Sequence, residues 1–279
     1  MKLNERIAFI GGGKMAEAIL KRMIAGELVE PDQITVSEPV AERREYLEST
    51  YGIHTVDRNR DATQDANIVV LAIRPQVLDR VLLDLHDRLA PEVLVISIVA
   101  GARISTLRDG LNHARIVRSM PNTPAQVGKG MTVWTATTAV TEENREHAQL
   151  ILEAMGQAMF AQEERYLDMA TGLSGSGPGF VFLFIEALID AGVHIGFSRQ
   201  EATQLVLQTV EGSVELLRQS GAHPAELRNR VTSPAGTTAA GTLPLERSGL
   251  RGVIIQAIEA AYLRSKELGD LSEQGLGRL

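Results

Sequence analysis

The 279-residue sequence contains no cysteine. Disulfide scaffolds, thiolate nucleophiles, zinc ribbons and iron–sulfur clusters are excluded with it. The absence also fits a reducing compartment. An excess of positive charge is lacking as well: 28 basic residues face 35 acidic ones, a formal net charge of −7. Such a chain has no general electrostatic hold on nucleic acid or on an anionic membrane, although one local site can still take a small anion. No long hydrophobic run is uninterrupted. The most apolar stretch, residues 180–197, is broken by Glu186, Asp190 and His194 and is not expected to span a membrane. The six histidines show no metal-ligand spacing, and no metal is expected. Residues 1–6 are charged and polar, and only Ile7–Ile10 are apolar before glycine, so a signal peptide is not expected and a cytoplasmic location is.

What is present is an ordinary globular composition, 44% hydrophobic and 23% charged, long enough for about two domains. In the first half, short apolar runs alternate with helix-like segments. Residues 6–11 (RIAFIG), 33–37 (QITVS), 67–73 (NIVVLAI), 93–98 (VLVISI), 114–118 and 131–135 read as strands, and 14–25, 40–50 and 76–89 as helices. Continuous apolar strands imply burial on both faces, hence a parallel sheet covered by helices, an α/β doubly wound domain. After residue 163 no strand is expected, and 167–170, 178–196, 199–219, 224–230 and 252–268 read as helices. The boundary is therefore placed between a dinucleotide-binding domain, 1–163, and an all-helical domain, 164–279. The helix over 178–196 is apolar almost all round, which demands partners on every side. A second copy of the chain, forming an obligate homodimer, is the expected source.

Gly11-Gly12-Gly13-Lys14-Met15-Ala16 fits G-x-G-x-x-G/A directly between the first strand and the first helix. Gly11 allows the tight turn, Gly13 lets backbone approach a pyrophosphate, and Ala16 lets the helix pack on the strand. The helix N-terminus offers free N–H groups to phosphate. Glu38, ending the second strand, suits a ribose 2′-OH. Ser37, Arg43 or Arg44 could instead hold a 2′-phosphate, so the choice between NAD and NADP stays open. Residues 233–238 (SPAGTT) read as a helix start whose N–H groups and hydroxyls could bind a carboxylate, or only as a cap. Residues 171–178 (TGLSGSGP) bring backbone close to something. Residues 120–124 (MPNTP) end a strand at the carboxyl edge, where ligands bind in this fold. Glu186, Asp190 and His194 form a polar seam at helical spacing and are read as structural.

These segments, Gly11–Ala16, Met120–Pro124, Ser174–Pro178 and 231–238 (VTSPAGTT), closely resemble, in order and over nearly the whole chain, pyrroline-5-carboxylate reductase. The resemblance implies a Rossmann-type domain followed by an all-α substrate-binding and dimerisation bundle. It also implies reduction of 1-pyrroline-5-carboxylate to L-proline, the last step of proline synthesis, with NADPH or NADH, by a homodimer that in some members stacks into a decamer. By position it assigns cofactor contacts to Gly11, Gly12, Gly13, Lys14, Met15, Ser37, Glu38, Asn59, Ala72, Arg74, Pro75, Ala100, Gly101, Met120, Pro121, Asn122 and Thr123. Thr171, Ser174, Ser233, Gly236 and Thr237 resemble substrate-site residues. Thr238 resembles the threonine that hydrogen-bonds the ring nitrogen.

Three positions depart from the family pattern. Arg74-Pro75 stands for a common Lys-Pro. Ala235 replaces a common glycine and would be strained at a positive φ. Gly179-Phe180 stands where Ala-Tyr is usual. A β-hydroxyacid dehydrogenase is the nearest alternative, but its catalytic lysine position is Val181, which cannot take a proton from an alcohol. A non-catalytic nucleotide-binding paralogue is the other alternative, and retention of residues 233–238 speaks against it.

Overall fold

The computed structural model describes residues 2–276. The chain divides into two compact units, residues 1–176 with 260–279, and residues 177–259. The first unit is built on one eight-stranded sheet. Its elements are β1 (Ile7–Ile10), α1 (Lys14–Ala25), β2 (Ile34–Ser37), α2 (Ala41–Tyr51), β3 (His54–Val56), α3 (Asn59–Thr63), β4 (Ile68–Leu71), α4 (Leu78–Leu85), β5 (Leu94–Ser97), α5 (Ile104–Leu111), β6 (Ile116–Met120), β7 (Gly130–Ala136), α6 (Glu142–Glu153), β8 (Gly156–Phe160) and α7 (Arg165–Ala170). The strand order is β3-β2-β1-β4-β5-β6-β7-β8. Its first six strands follow the doubly wound Rossmann order, with the switch point between β1 and β4.

The central strands β1, β4 and β5 are buried at every position. Their two faces feed two separate apolar cores. Ile7, Phe9, Ile68, Val70, Leu94 and Ile96 point into one, and Ala8, Ile10, Val69, Leu71 and Val95 into the other. The period-2 alternation of side chains explains why continuous apolar runs are required here.

The sheet is not wholly parallel, as the sequence pattern had suggested: β7 runs antiparallel to β6. The connection between them, residues 121–129, is shorter than the dozen or so residues that a parallel crossover needs. Two strands escaped the sequence pattern, β3 and β8. Both are sheet edges, with mostly polar or exposed residues and no apolar run.

The second unit contains α8 (Gly177–His194), α9 (Arg199–Ser220), α10 (Pro224–Arg230) and α11 (Thr237–Arg247), and α12 (Leu250–Leu276) begins in it. α8 and α9 pack on each other, with Gly192 against Ala202. A helix start was expected within residues 233–238, and α11 does begin there, at Thr237; its run to Arg247 was not anticipated, because two threonines at its start, a glycine and the internal Pro244 give it low helix propensity. None of the residues of α8 is buried, and Phe182 and Leu183 are 63% and 65% exposed. By length and composition the helical run Arg165–His194 is long and apolar enough to cross a membrane.

The compact units part at Ser176/Gly177 rather than at the expected 163/164, and residues from Ala260 onward belong with the sheet. A buried polar network shows why α7 and the end of α12 belong there. Arg118 on β6 is 3% exposed and donates to Glu164 Oε1 (2.7 Å) and Asp168 Oδ1 (3.1 Å). Ser265 Oγ on α12 donates to the same Asp168 oxygen at 3.0 Å, and the Ile104 N–H to Glu164 Oε1 at 2.8 Å. Nearby, Arg103 pairs with Asp270 and Glu273, and Ser105 Oγ donates to Glu273 Oε1 at 2.7 Å. Removing one member of a buried pair leaves the other charge uncompensated. Arg118→Met is expected to cost about 3–5 kcal/mol of unfolding free energy, read as a lowered urea midpoint. A midpoint like that of the wild type would show that the network is not stabilising.

Candidate active site

The glycine loop joins β1 to α1. Gly11 has φ +95°, and a Cβ there would sit 2.8 Å from the Ala72 carbonyl oxygen, so only glycine fits. Gly13 is the N-cap of α1, extended, with no side-chain cap, and a Cβ on it would meet nothing within 4 Å. Open space thus lies beside the N-cap of α1, at a helix end whose first N–H groups are unpaired, the arrangement that receives a phosphate.

That open space is a cavity of about 360 Å³, lined by Gly13, Lys14, Met15, Ala72, Ile73, Arg74, Ile98, Met120, Pro121, Asn122, Thr123 and Gly175. It lies off the carboxyl ends of β4, β5 and β6, beside the switch point. Nine of the residues assigned to cofactor on sequence line it: Gly13, Lys14, Met15, Ala72, Arg74 and Met120–Thr123. Arg74 is exposed and, among the described residues, forms no ion pair, which leaves its cation available to an anion in the cleft. Ile73, Ile98 and Gly175 line it too and were missed. The first two read as ordinary core residues of apolar strands, so no sequence signal marks them.

Gly11, Gly12, Ser37, Glu38, Asn59, Pro75, Ala100 and Gly101 do not line this cavity. Glu38 turns its carboxylate back on the loop: Oε2 accepts the Gly12 N–H at 2.9 Å and Oε1 the Val40 N–H at 3.1 Å. Ser37 Oγ donates to Asn59 Oδ1 at 2.8 Å, and Asn59 Nδ2 donates to Asp84 Oδ2 at 3.1 Å. Gly101 has φ +76°, which favours glycine, and α12 packs close to it, a Cβ there lying 3.2 Å from Leu268 Cβ. Arg43 Nε donates to the Gly12 carbonyl at 2.7 Å and its Nη2 to Glu17 Oε2 at 2.6 Å. Arg44 Nη1 donates to the Glu38 carbonyl at 2.8 Å. Partial burial raises the pKa of Glu17, but hydrogen bonds from Arg43, Tyr51 and Tyr46 outweigh it and hold the carboxyl down at about 2. Burial and the Glu17 carboxylate push the Tyr51 hydroxyl well above its ordinary range.

Asn122 joins the cavity walls. Its Nδ2 donates to the Ser174 carbonyl at 3.0 Å, and its Oδ1 accepts the Met131 N–H at 2.9 Å. The segment it grips, Thr171–Gly175, is a π-helical turn continuing α7, a deviation found often at functional sites. Gly175 lets the Met120 methyl come close, and a Cβ there would sit 2.8 Å from Met120 Cε. Thr171 and Ser174 spend their hydroxyl hydrogens on the Leu167 and Ala170 carbonyls, at 2.7 and 3.0 Å, leaving only oxygen lone pairs for a ligand.

In the second unit, Ser233 does not cap a helix. The helix α11 starts four residues later, and Gly236 is its N-cap, extended and without a side-chain cap. Ser233 Oγ rests against Gly236, where a Cβ would be only 2.3 Å away, and the Gly236 N–H returns to the Ser233 carbonyl at 3.0 Å. Thr237 and Thr238 are thus the first helical residues. Their N–H groups are among the four that an α-helix leaves unpaired at its start, a local arrangement suited to a carboxylate. Among the described residues no group of three or more acidic or histidine side chains could hold a metal ion.

With this geometry in place, comparison with known proteins is informative. Residues 164–268 match the family model described as pyrroline-5-carboxylate reductase dimerisation. Residues 6–101 match one described as NADP oxidoreductase, coenzyme F420-dependent. The pyrroline-5-carboxylate reductase of Synechocystis sp. is 46% identical over 267 residues, covering 96% of this chain and 99% of that one. This chain belongs to the pyrroline-5-carboxylate reductase family. The Pseudomonas aeruginosa member is 40% identical over 95% of this chain and 97% of its own. Among solved structures, the reductase from Coxiella burnetii superposes with a TM-score of 0.88 at 35% identity, covering 95% of this chain and 99% of that chain. The Plasmodium falciparum enzyme, with NADP bound, gives 0.88 at 31% identity, covering 96% of this chain and all of that one.

One departure from the family pattern has a visible consequence. Ala235 has φ +58°, the left-handed region, where its Cβ crowds the following carbonyl. Glycine there relieves that crowding but is looser when unfolded. Ala235→Gly is expected to raise stability by about 0.5–1 kcal/mol, read as a small rise in Tm. A fall in Tm would mean that the alanine is not strained.

Proposed function

We propose that this chain reduces 1-pyrroline-5-carboxylate to L-proline, using NADPH or NADH, as a cytoplasmic homodimer. The observation that carries the reading is the cavity shared by the glycine loop and Met120–Thr123, with Gly175 from a π-helical turn of the family's own dimerisation region in its lining. Bound there, a reduced nicotinamide dinucleotide supplies a hydride to the carbon of the C=N bond. The chain's own work is placement. The α1 N-terminus and Arg74 hold the pyrophosphate. The N–H groups at the start of α11, with Ser233, Gly236 and Thr237, would hold the substrate carboxylate; Thr171 and Ser174 are assigned to the substrate by the resemblance, and their hydroxyl hydrogens are already spent on the Leu167 and Ala170 carbonyls.

Thr238 donates a hydrogen bond to the ring nitrogen. A hydroxyl is too weak an acid to protonate it outright, so its part is to polarise the C=N bond and to relay to the nitrogen the proton that a solvent water supplies as the hydride reaches carbon. An imine takes up a proton as it is reduced and needs no base. Val181, at the position that corresponds to the catalytic lysine of β-hydroxyacid dehydrogenases, is consistent with that. The exposed apolar surface of α8 is covered by the same surface of a second copy, the isologous contact usual in dimers.

The reading is tested by following absorbance at 340 nm with NADPH and NADH separately, against pyrroline-5-carboxylate and an analogue without the carboxylate. Turnover is expected only with the carboxylate present, and equal use of the analogue overturns the α11 assignment. Thr238→Ala is expected to lower kcat/KM by roughly 10- to 1,000-fold; unchanged kinetics would remove Thr238 from the mechanism. For the assembly, light scattering at micromolar concentration is expected to give at least twice the 30.3 kDa chain mass. A monomer there would sink the dimer.

A further inference from the structure

Glu17 is an oddity in a helix meant for phosphate. It sits in the first turn of α1, where the helix N-terminus and the glycine loop favour an anionic ligand, and it brings a negative charge of its own. Its side chain is only 13% exposed. Oε1 accepts from Tyr46 and Tyr51, both at 2.9 Å, and Oε2 from Arg43 Nη2 at 2.6 Å, with Lys14 Nζ 3.6 Å away. Two tyrosines and a planar guanidinium thus hold one carboxylate in one place. Arg43 is correspondingly fixed: it stacks over the Tyr46 ring, 4.9 Å from its centroid, and its Nε binds the Gly12 carbonyl.

The position of Arg43 gives this arrangement its meaning. Gly12 is gripped on both sides, its N–H by Glu38 and its carbonyl by Arg43. Glu38 directly follows β2, the place where this fold meets the adenosine ribose, and where an arginine nearby accommodates a 2′-phosphate. Arg43 is such an arginine, but two arms of its fork are already occupied and its charge is matched by Glu17.

We propose that Glu17 is a specificity-determining residue: by holding Arg43 against the Gly12 carbonyl it offsets the Arg43 charge at the ribose end of the cleft, leaving Arg44 there without a carboxylate partner among the described residues, and so limits the preference for a 2′-phosphorylated over an unphosphorylated dinucleotide. The inference rests on the dinucleotide reading of the glycine loop given above. Removing a negative charge near that end favours the ligand that carries an extra phosphate.

The test is calorimetric titration of the full chain with NADP⁺ and with NAD⁺. Glu17→Gln keeps acceptor and size but loses the charge. It is expected to shift the ratio of the two dissociation constants toward NADP⁺ by at least about threefold, and the gain should shrink as salt is raised. Arg43→Gln is expected to shift the ratio the other way. A structural defect would weaken both ligands together and leave the ratio alone. Should Glu17→Gln not fold, Glu17→Ala removes the same charge with the best helix former and is read in the same way. A ratio unchanged in the Glu17 variant, or moved toward NAD⁺, overturns the proposal. Failure of the wild type to bind either dinucleotide overturns the dinucleotide reading itself, and the inference with it.

Discussion

A positive charge buried in the sheet sets the terms for much of the first unit. Arg118 projects from β6 into a region from which water is nearly excluded. Carboxylates must come to it. Glu164 and Asp168 do so from α7, with Ser265 of α12 and the Ile104 N–H satisfying the same carboxylate oxygens. The strand, the helix after the last strand, the start of α5 and the final helix are therefore tied at one point. Such a network contributes less to net stability than its bond count suggests, because both signs of charge were taken out of water. Its effect is positional.

That position matters because the same two elements carry on into the cavity. β6 runs on into Met120–Thr123, and α7 runs on into the π-helical turn Thr171–Gly175. With their roots joined at Arg118, their ends are joined again by the Asn122 carboxamide and by the contact of Gly175 with the Met120 methyl. A wall built from two chain segments some 50 residues apart in sequence is held at both ends. The opposite wall is the glycine loop, which Glu38 and Arg43 hold from outside. The cleft is thus pre-formed by contacts that its ligand does not need to make, which lowers the ordering cost of binding.

Much of this was legible in the sequence. The glycine loop is local: Gly11 needs a positive φ and a close carbonyl, and both demands belong to a single strand–turn–helix. The interior strands announce themselves because burial on both faces leaves only apolar residues. The strain at Ala235 follows from one side chain on a turn that asks for none. Edge strands were not legible, since β3 and β8 have one side open to water and need no apolar run. The start of α11 was legible at residues 233–238, but not its run to Arg247, whose residues are poor helix formers by themselves.

Residue types and their order determined that a dinucleotide-binding fold precedes a helical region, and where the phosphate loop lies, because periodicity and backbone freedom act over a few residues. Only the tertiary structure decided which carboxylate answers Arg118, that Glu38 faces Gly12, that Asn122 ties two walls together, and that Arg43 is claimed by Glu17. Those pairings join groups far apart along the chain. Folding selects them through the cost of leaving a charge or a polar group unpaired away from water, and no local pattern encodes that choice of partner.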